Sequence, residues 1–299
     1  MFKDGDIVCF IGDSITAKDL CMSEVYQYLR KKYKIKCYNC GVSGATATQA
    51  VNYLHSECLI HNPDYVVVMY GMNDLGLWLY WDSCQEENIE EKRRERIELH
   101  KKNYEEIIKQ CIDFGTKVIV CLPTPYDELS ESPAEVAHGY QNVLEEGARF
   151  HLEIARKYGC PVVNYKDALK EEIGKRKVIS EDRIHPTEEG YHVMAQTFLK
   201  EIGEKDDLDY DTPFEFEDWN RERHEIIDTD LHHLNFVDLC IRYAEGYRRT
   251  TEELIEFIKE DYEKQEDKEA FVAQCYKKFL DHGEIRTQIR GEVIKRTIF

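Results

Sequence analysis

A serine in a tight polar turn stands directly after the first apolar run of the chain. Ile7–Ile11 are five consecutive apolar residues, which predicts a buried strand, and Gly12-Asp13-Ser14 ends that strand. A buried parallel strand delivers the side chains of such a turn to the carboxyl edge of the sheet, where open α/β folds bind their ligands. Ser14 is therefore a candidate nucleophile, although Gly-Asp-Ser is also ordinary turn chemistry.

A histidine with an acidic neighbour lies far along the chain. Asp182-Arg-Ile-His185 puts a carboxylate and an imidazole three residues apart in one loop. A serine nucleophile needs a neutral histidine to accept its proton, and that histidine needs an acceptor on its second ring nitrogen. One loop can supply both groups. The alternative is a surface or helix-capping position for His185, because Asp-x-x-His pairs are common.

After the serine and the histidine–aspartate pair, the third feature is a set of hydrogen-bond donors for a negatively charged oxygen. Acyl transfer passes through a tetrahedral intermediate whose oxyanion needs two or three aimed donors, and losing one costs about 3–4 kcal/mol. The backbone N–H groups of Ser14 and Gly44 and the side-chain amide of Asn73 are the candidates. Together with Ser14 and His185 they would form a site for ester chemistry.

Five short apolar runs, separated by helical segments, predict a parallel sheet covered on both faces. The predicted strands are Ile7–Ile11, Ile35–Asn39, Tyr65–Tyr70, Lys117–Leu122 and Pro161–Asn164. If the strand order is the flavodoxin-like 2-1-3-4-5, the turns after the first and third strands meet at the switch point. Ser14 and Asn73 lie in those two turns, which brings the candidate groups together.

Helices must connect these strands. Apolar spacing and helix-ending glycines predict them at Ser23–Tyr33, Thr46–Ser56, Glu86–Phe114, Glu135–Tyr158 and Glu188–Ile202. A further helix precedes the loop of Asp182 and His185. Thr187 is well placed to cap the last helix, since threonine side chains accept hydrogen bonds from the first amides of a helix.

Charge and hydropathy exclude several partners. The 299 residues carry a formal net charge of −19, which argues against binding to nucleic acid or to anionic membrane surfaces. No apolar run approaches the ~20 residues that span a bilayer, so membrane insertion is not expected. The N-terminus lacks the organisation of a signal peptide, and we expect a cytoplasmic protein.

Cysteine usage agrees with a reducing compartment. The chain has 11 cysteines, scattered through predicted strands and helices, where cysteine behaves as a small apolar residue. Cys37 and Cys40 match a C-x-x-C pattern but have no second pair at zinc spacing. No H-E-x-x-H motif is present, and no carboxylate stands at metal spacing from the histidines on predicted helices, which are His138, His151, His192, His232 and His233. We therefore expect neither a metal nor a cofactor.

Four short motifs together resemble the signature blocks of the GDSL, or SGNH, hydrolases. They are Gly12-Asp-Ser-Ile-Thr16, Asn39-Cys-Gly-Val-Ser-Gly44, Gly71-Met-Asn73 and Asp182-Arg-Ile-His185, in the order typical of that family. The resemblance covers roughly residues 1–203. It implies a three-layer α/β/α sandwich, with residues 1–203 as the hydrolase domain.

The resemblance also implies a role for each motif residue. Ser14 would be the nucleophile and His185 the base, with Asp182 orienting His185. Ser14, Gly44 and Asn73 would form the oxyanion hole. Ser43, in Gly-Val-Ser-Gly, lacks the G-x-S-x-G spacing of a nucleophile elbow and is predicted to be structural.

The substrate is less determined than the chemistry. Trp78 and Trp81 follow the Asn73 turn and could stack on a sugar or line a short acyl pocket, or they could pack against the core. Asp74 is a further candidate for substrate contact, with hydrogen bonding in its own turn as the alternative. A deacetylase of carbohydrates or of other small esters is the favoured hypothesis. A lysophospholipase, a thioesterase or an acyltransferase stays open.

The last hundred residues fall outside the resemblance. The acidic composition at the start of residues 204–299 predicts a linker or an arm that wraps the surface. Apolar spacing then predicts amphipathic helices at Leu231–Ala244, Glu252–Tyr262 and Lys268–Leu280. These helices could pack on the core or make a homodimer contact. They could also be the working surface of a non-catalytic interaction protein, but the complete set of site residues argues against that reading.

Overall fold

The computed structural model describes residues 1–18 and 20–213. The predicted helices beyond Leu231, and the homodimer contact assigned to them, lie outside the described residues. Within them, five parallel strands form one sheet with the order β2-β1-β3-β4-β5. The strands are β1 Ile7–Gly12, β2 Lys36–Asn39, β3 Tyr65–Met69, β4 Lys117–Cys121 and β5 Val162–Val163. The predicted strand order is confirmed.

Helices cover both faces of the sheet. They are α1 Ser14–Ala17, α2 Leu20–Arg30, α3 Ala47–Tyr53, α4 Ile89–Asp113, α5 Tyr140–Tyr158, α6 Tyr165–Glu172 and α7 Glu188–Glu201. Helices α2, α6 and α7 pack together in one layer, while α3, α4 and α5 pack together in the other. The architecture is the expected three-layer α/β/α sandwich.

Burial on both faces explains why β1 and β3 have no alternation of polar and apolar residues. Every residue of β3 is buried, and in β1 only Ile7 is partly exposed. A strand with helices above and below it places apolar side chains on both sides. The central strands end at the site, so a rigid part of the molecule supports the turns that follow them.

The structure corrects several helix boundaries. Helix α2 spans Leu20–Arg30 rather than Ser23–Tyr33, and α4 begins at Ile89 rather than at Glu86. Helix α5 begins at Tyr140 rather than at Glu135, because Gly139 adopts a left-handed φ of +80° and Ala137 pairs with Trp81 in an isolated β-bridge. Helix α3 ends at Tyr53, and the chain continues through a π-helical turn at Leu54–Cys58. The predicted cap of α7 is confirmed, since Thr187 Oγ1 accepts the Gly190 N–H at 3.1 Å.

Residues 204–213 lie against the sandwich. His192 Nε2 is 2.7 Å from the carbonyl oxygen of Asp209, and the Tyr210 hydroxyl is 3.0 Å from Thr197 Oγ1. The domain boundary after residue 203 stays a prediction. In the part of the chain that the structure describes, no helix combines the length and apolar character needed to cross a membrane.

Candidate active site

Ser14 follows β1 at the sheet edge and opens α1. Asp13 caps this helix, with its Oδ1 accepting the Ile15 N–H at 2.9 Å. Gly12 is required here because a Cβ atom would lie 2.2 Å from Thr16 Oγ1 and 2.6 Å from the carbonyl oxygen of Met69. The helical turn therefore folds back tightly onto the strand, and Ser14 lies half-buried at the bend.

The structure brings Ser14, His185 and Asp182 into one hydrogen-bonded chain. The Oγ atom of Ser14 lies 2.7 Å from His185 Nε2, although 171 positions separate the two residues. On the other side of the ring, His185 Nδ1 lies 2.6 Å from Asp182 Oδ2. Because a carboxylate only accepts hydrogen bonds, these partners assign the proton to Nδ1 and leave the Nε2 lone pair facing the serine hydroxyl.

Asp182 is held in its ionised form by several donors. Burial raises the pKa of this carboxyl, but hydrogen bonds from Ser180 and from the backbone amides of His185 and Ile184 outweigh it and bring the pKa to about 2. Oδ1 accepts both amides at 2.9 Å and the Ser180 hydroxyl at 2.6 Å. The second oxygen is left for the His185 ring, so the loop fixes the ring orientation.

Arg183 anchors the loop of Asp182 and His185 to residues 127–134, a function that the sequence did not indicate. The side chain is buried, at 4% exposure, and its guanidinium donates to the carbonyl oxygens of Asp127, Ser130 and Ala134 at 2.8–3.0 Å. Its φ of +70° is unusual for a residue other than glycine. The strained backbone turns Asp182 and His185 toward Ser14 while the guanidinium ties the loop to residues 127–134.

The predicted oxyanion donors lie on adjoining loops. Val42 N–H donates to the Gly12 carbonyl oxygen at 2.9 Å, which anchors the loop that carries Gly44 beside the Ser14 turn. Asn73 Nδ2 donates to the Ala45 carbonyl oxygen at 3.1 Å and so joins the same loop. Among residues 1–18 and 20–213, no hydrogen bond engages the N–H of Ser14 or of Gly44.

Asn39 was missed from sequence although it lies within a signature block. Its side-chain amide donates to the carbonyl oxygens of Thr16 and Ala17, at 3.0 and 3.2 Å, and its Oδ1 accepts the Gly41 N–H at 2.9 Å. A Cβ on Gly41 would lie 2.5 Å from the Ala17 nitrogen. Asn39 and Gly41 together hold the loop of residues 40–45 against the end of α1. Because this loop carries Gly44, a predicted oxyanion donor, we call it the oxyanion loop.

Asp74 lies in the interior rather than on the cleft surface. Its side chain is 3% exposed, Oδ1 accepts the Ala47 N–H at 2.7 Å and Oδ2 accepts the Gly71 N–H at 3.0 Å. His100 Nδ1 lies 3.0 Å from Oδ1. Of the two alternatives for Asp74, these contacts agree with hydrogen bonding in its own turn, because Gly71 belongs to that turn. The carboxylate braces the Asn73 turn and the positive end of α3, and substrate contact by Asp74 stays a prediction.

The two tryptophans keep accessible surface. Trp81 is 37% exposed, and Trp78 is half-buried with the Arg96 guanidinium 4.7 Å from its ring centroid. Substrate contact by the tryptophans stays a prediction.

Of the two serines considered as nucleophile, Ser14 is the one that the His185 ring contacts. Ser43 is exposed in the oxyanion loop.

A buried group of acidic and imidazole side chains lies beneath the site. Burial raises the pKa of Asp13 to about 7, and the nearby charge of Asp74 adds to the shift while the Ile15 amide opposes it. His100 Nε2 and His151 Nε2 lie 2.9 Å apart. Burial, and then the neighbouring His100, hold the pKa of His151 well below its usual value. None of these groups has an exposed face.

The GDSL-like Lipase/Acylhydrolase family matches residues 10–193. Because this match covers more than half of the 299 residues, the chain belongs to that family, and it is a carboxylic ester hydrolase. The match spans Ser14, Gly44, Asn73, Asp182 and His185.

The chain is similar to an acetylxylan esterase from Geobacillus stearothermophilus, with 24% identity over 223 residues that span 67% of this chain and 94% of that protein. A catalytic serine mutant of that esterase aligns with a TM-score of 0.56 at 20% identity, covering 68% of this chain and 97% of the other. Other catalytic mutants of the same protein replace an aspartate and a histidine three positions apart.

A gut microbial diltiazem-metabolizing enzyme is also similar in structure. It aligns with a TM-score of 0.60 at 25% identity over 68% of this chain. The aligned part spans 48% of that enzyme, so this chain corresponds to about half of it. Both alignments support the α/β/α sandwich described above.

Proposed function

We propose that this chain removes acetyl and other small acyl groups from hydroxyl groups, in particular those of carbohydrates, through a covalent acyl-enzyme on Ser14. The 2.7 Å contact between Ser14 Oγ and His185 Nε2 is the observation that carries the proposal. A serine hydroxyl becomes nucleophilic when an adjacent base accepts its proton during attack. In the acetylxylan esterase relative, an aspartate and a histidine with the spacing of Asp182 and His185 are also replaced in catalytic mutants.

In the first step, Ser14 Oγ attacks the ester carbonyl carbon and its proton passes to His185 Nε2. The carbonyl oxygen becomes an oxyanion, which would accept hydrogen bonds from the amides of Ser14 and Gly44 and from Asn73. Collapse of the intermediate breaks the bond to the alcohol, and the alcohol oxygen takes the proton from His185. Asp182 stabilises the positive imidazolium through Nδ1–H.

In the second step, water replaces the alcohol. His185 takes a proton from the water as its oxygen attacks the acyl carbon, and the new intermediate collapses to the free acid and Ser14. Both steps need a neutral imidazole at the start.

The acetyl preference rests on two observations. The chain is similar to an acetylxylan esterase over 94% of that protein's length. In addition, Trp81 is exposed and Trp78 is half-buried, and aromatic faces of this kind can stack on a sugar ring. A thioesterase, a lysophospholipase or an acyltransferase would use the same acyl-enzyme, so the test must vary both acyl length and acceptor.

The experiment compares p-nitrophenyl esters of increasing chain length with acetylated xylo-oligosaccharides on the full-length protein. We expect turnover to fall as the acyl chain lengthens, and Ser14→Ala and His185→Ala each to lower kcat on the order of 10⁶-fold. Ser43→Ala is the matched control, because Ser43 lies exposed in a neighbouring loop. Turnover that survives in Ser14→Ala, or that rises with chain length, contradicts the proposal.

A further inference from the structure

Three buried cysteines from three separate elements lie close together in the interior. Cys9 lies in β1, Cys40 directly follows β2, and Cys58 ends the π-helical turn. Their sulfur atoms all lie within 4.8 Å of one another, and none of the three residues is more than 1% exposed. Disulfides are absent among the nine described cysteines, so the cluster is a group of three thiols. We call it the thiol cluster.

The number of ligands limits what this cluster can bind. Within residues 1–18 and 20–213, no histidine, carboxylate or fourth cysteine joins the three sulfurs. The sulfurs also make long contacts to carbonyl oxygens, 3.7 Å from Cys9 Sγ to that of Cys58 and 4.0 Å from Cys40 Sγ to that of Tyr38. Structural zinc sites are four-coordinate. Three sulfurs alone suit a soft, three-coordinate element.

The net charge of the complex limits which three-coordinate element can bind. Three thiolates around a monovalent ion would leave two net negative charges, and around a divalent ion one. The burial of an uncompensated charge in an apolar interior is very costly. A trivalent element with three thiolates is neutral, and it is the only one of these complexes that suits a fully buried position between β1, β2 and the π-helical turn.

From this arrangement we propose that Cys9, Cys40 and Cys58 form a binding site for a trivalent, three-coordinate thiophilic element, with arsenous acid as the probe. Arsenous acid has three hydroxyl groups on arsenic. Each thiol forms one As–S bond and breaks one As–O bond, and its proton leaves with the hydroxyl as water. One arsenous acid and three thiols thus give one neutral tris-thiolate and three waters, with no change in oxidation state.

The π-helical turn gives the site a route of entry. Residues Leu54–Cys58 form this turn and Leu59–His61 follow as a 3-10 turn, so regular helical hydrogen bonding is interrupted on both sides of Cys58. Turns of the π type are rare and occur frequently at functional sites. Local opening of an irregular helical segment requires less free energy than global unfolding, and it would expose the Cys58 sulfur first.

Binding of arsenic to the thiol cluster would perturb the ester-hydrolysing site, because short chain segments connect Cys40 and Cys9 to it. Cys40 precedes Gly41, whose N–H is bonded to Asn39 and whose Cα packs on the Ala17 backbone. Cys9 lies in β1, which ends at Gly12, two residues before Ser14. Drawing the three sulfurs to bonding distance pulls on both loops, so we expect arsenite to slow ester hydrolysis. That consequence rests on the proposed function, whereas the binding itself does not.

The test is native mass spectrometry of the full-length protein, reduced with a phosphine, after incubation with sodium arsenite. Binding by three thiols adds one arsenic atom and removes three hydrogens. A two-thiol adduct keeps one hydroxyl and is heavier by one water. We expect the three-thiol mass at one equivalent, and at least a tenfold loss of affinity in Cys9→Ala and in Cys58→Ala.

Cys111→Ala is the matched control, because Cys111 is equally buried and lies outside the cluster. It should bind arsenite as the wild type does. Far-UV circular dichroism checks that each variant folds, and the wild-type adduct mass needs no variant. A two-thiol mass, no adduct at excess arsenite, or unchanged affinity in Cys58→Ala would each overturn the proposal. Arsenite binding by a protein that shows no ester turnover in the absence of arsenite would instead refute only the proposed function.

Discussion

Replacing Asp13 by asparagine should stabilise the protein, and by more at pH 8.5 than at pH 5.5. Asp13 is 2% exposed, and burial raises its pKa from 3.8 to about 7. The native state therefore binds this proton more tightly than the unfolded chain does. Its contribution to stability is fully present below the unfolded pKa and is lost as the pH rises through the folded pKa.

The magnitude follows from that shift. Each pKa unit corresponds to about 1.4 kcal/mol, so full ionisation of Asp13 costs the native state about 4 kcal/mol. About 2 kcal/mol of this is already lost at pH 5.5, where the unfolded carboxyl is ionised and the native one is still protonated. The asparagine side chain of the variant keeps an oxygen that can accept the Ile15 N–H, and asparagine caps helices as well as aspartate does.

Asp13→Asn should therefore gain about 2 kcal/mol relative to wild type between pH 5.5 and pH 8.5. The assay is urea denaturation followed by circular dichroism, with both proteins measured at both pH values. Asp113→Asn, on the exposed face of α4, is the control and should show no pH-dependent difference. An equal effect of Asp13→Asn at the two pH values would refute the assignment of a raised pKa to this buried carboxyl.

Three further substitutions test the positioning of the site. Asn73→Ala should lower kcat about 10²–10³-fold with little change in KM, because an oxyanion donor acts mainly in the transition state; a KM effect alone would contradict this. Arg183→Leu should cost roughly 3 kcal/mol in urea denaturation, since buried carbonyl oxygens lose their donor; wild-type stability would contradict it. Burial disfavours the charged form of His192, but Glu24 and the Asp209 carbonyl outweigh it and raise the pKa. His192→Gln should therefore be more destabilising at pH 6 than at pH 9, and the reverse order would show that the ring is not charged in the native state.

The strands were predictable because their environment is simple. A strand buried on both faces needs only a run of apolar residues, as in β1 and β3, and each run ends where the polar turn begins. The short spacing of Asp182 and His185 was also readable, because both groups lie in one loop whose hydrogen bonds are local. The approach of Ser14 to His185 followed from the family motifs.

Residues whose partners are distant in sequence were harder to predict. Arg183 looks like a surface charge in the sequence, yet its guanidinium binds carbonyl groups of a loop about fifty positions earlier. Asp74 hydrogen-bonds to Gly71 in its own turn, which was one of the two alternatives, but its contact with the distant Ala47 amide was not predicted. The thiol cluster joins residues of three elements, so no local spacing indicates it, and the C-x-x-C match links Cys40 to Cys37, which is not one of the three.

Helix starts were misjudged for a related reason. The apolar pattern near Glu135 resembles the first turn of α5, but Glu135 accepts hydrogen bonds from Ser83, and the Tyr126 hydroxyl accepts the Ala137 N–H. Contacts with two distant segments therefore keep residues 135–139 out of the helix. Such competition between local helix formation and tertiary hydrogen bonding leaves little trace in a single sequence.

The central claim is that Ser14 becomes acylated with His185 as its base. The most direct measurement is peptide mapping by mass spectrometry after the full-length protein reacts with a fluorophosphonate ester. We predict one adduct, on the peptide that contains Ser14, with the rate of labelling strongly reduced in His185→Ala and unchanged in Ser43→Ala. An adduct on another serine, or ester turnover that continues without any label on Ser14, would contradict the account.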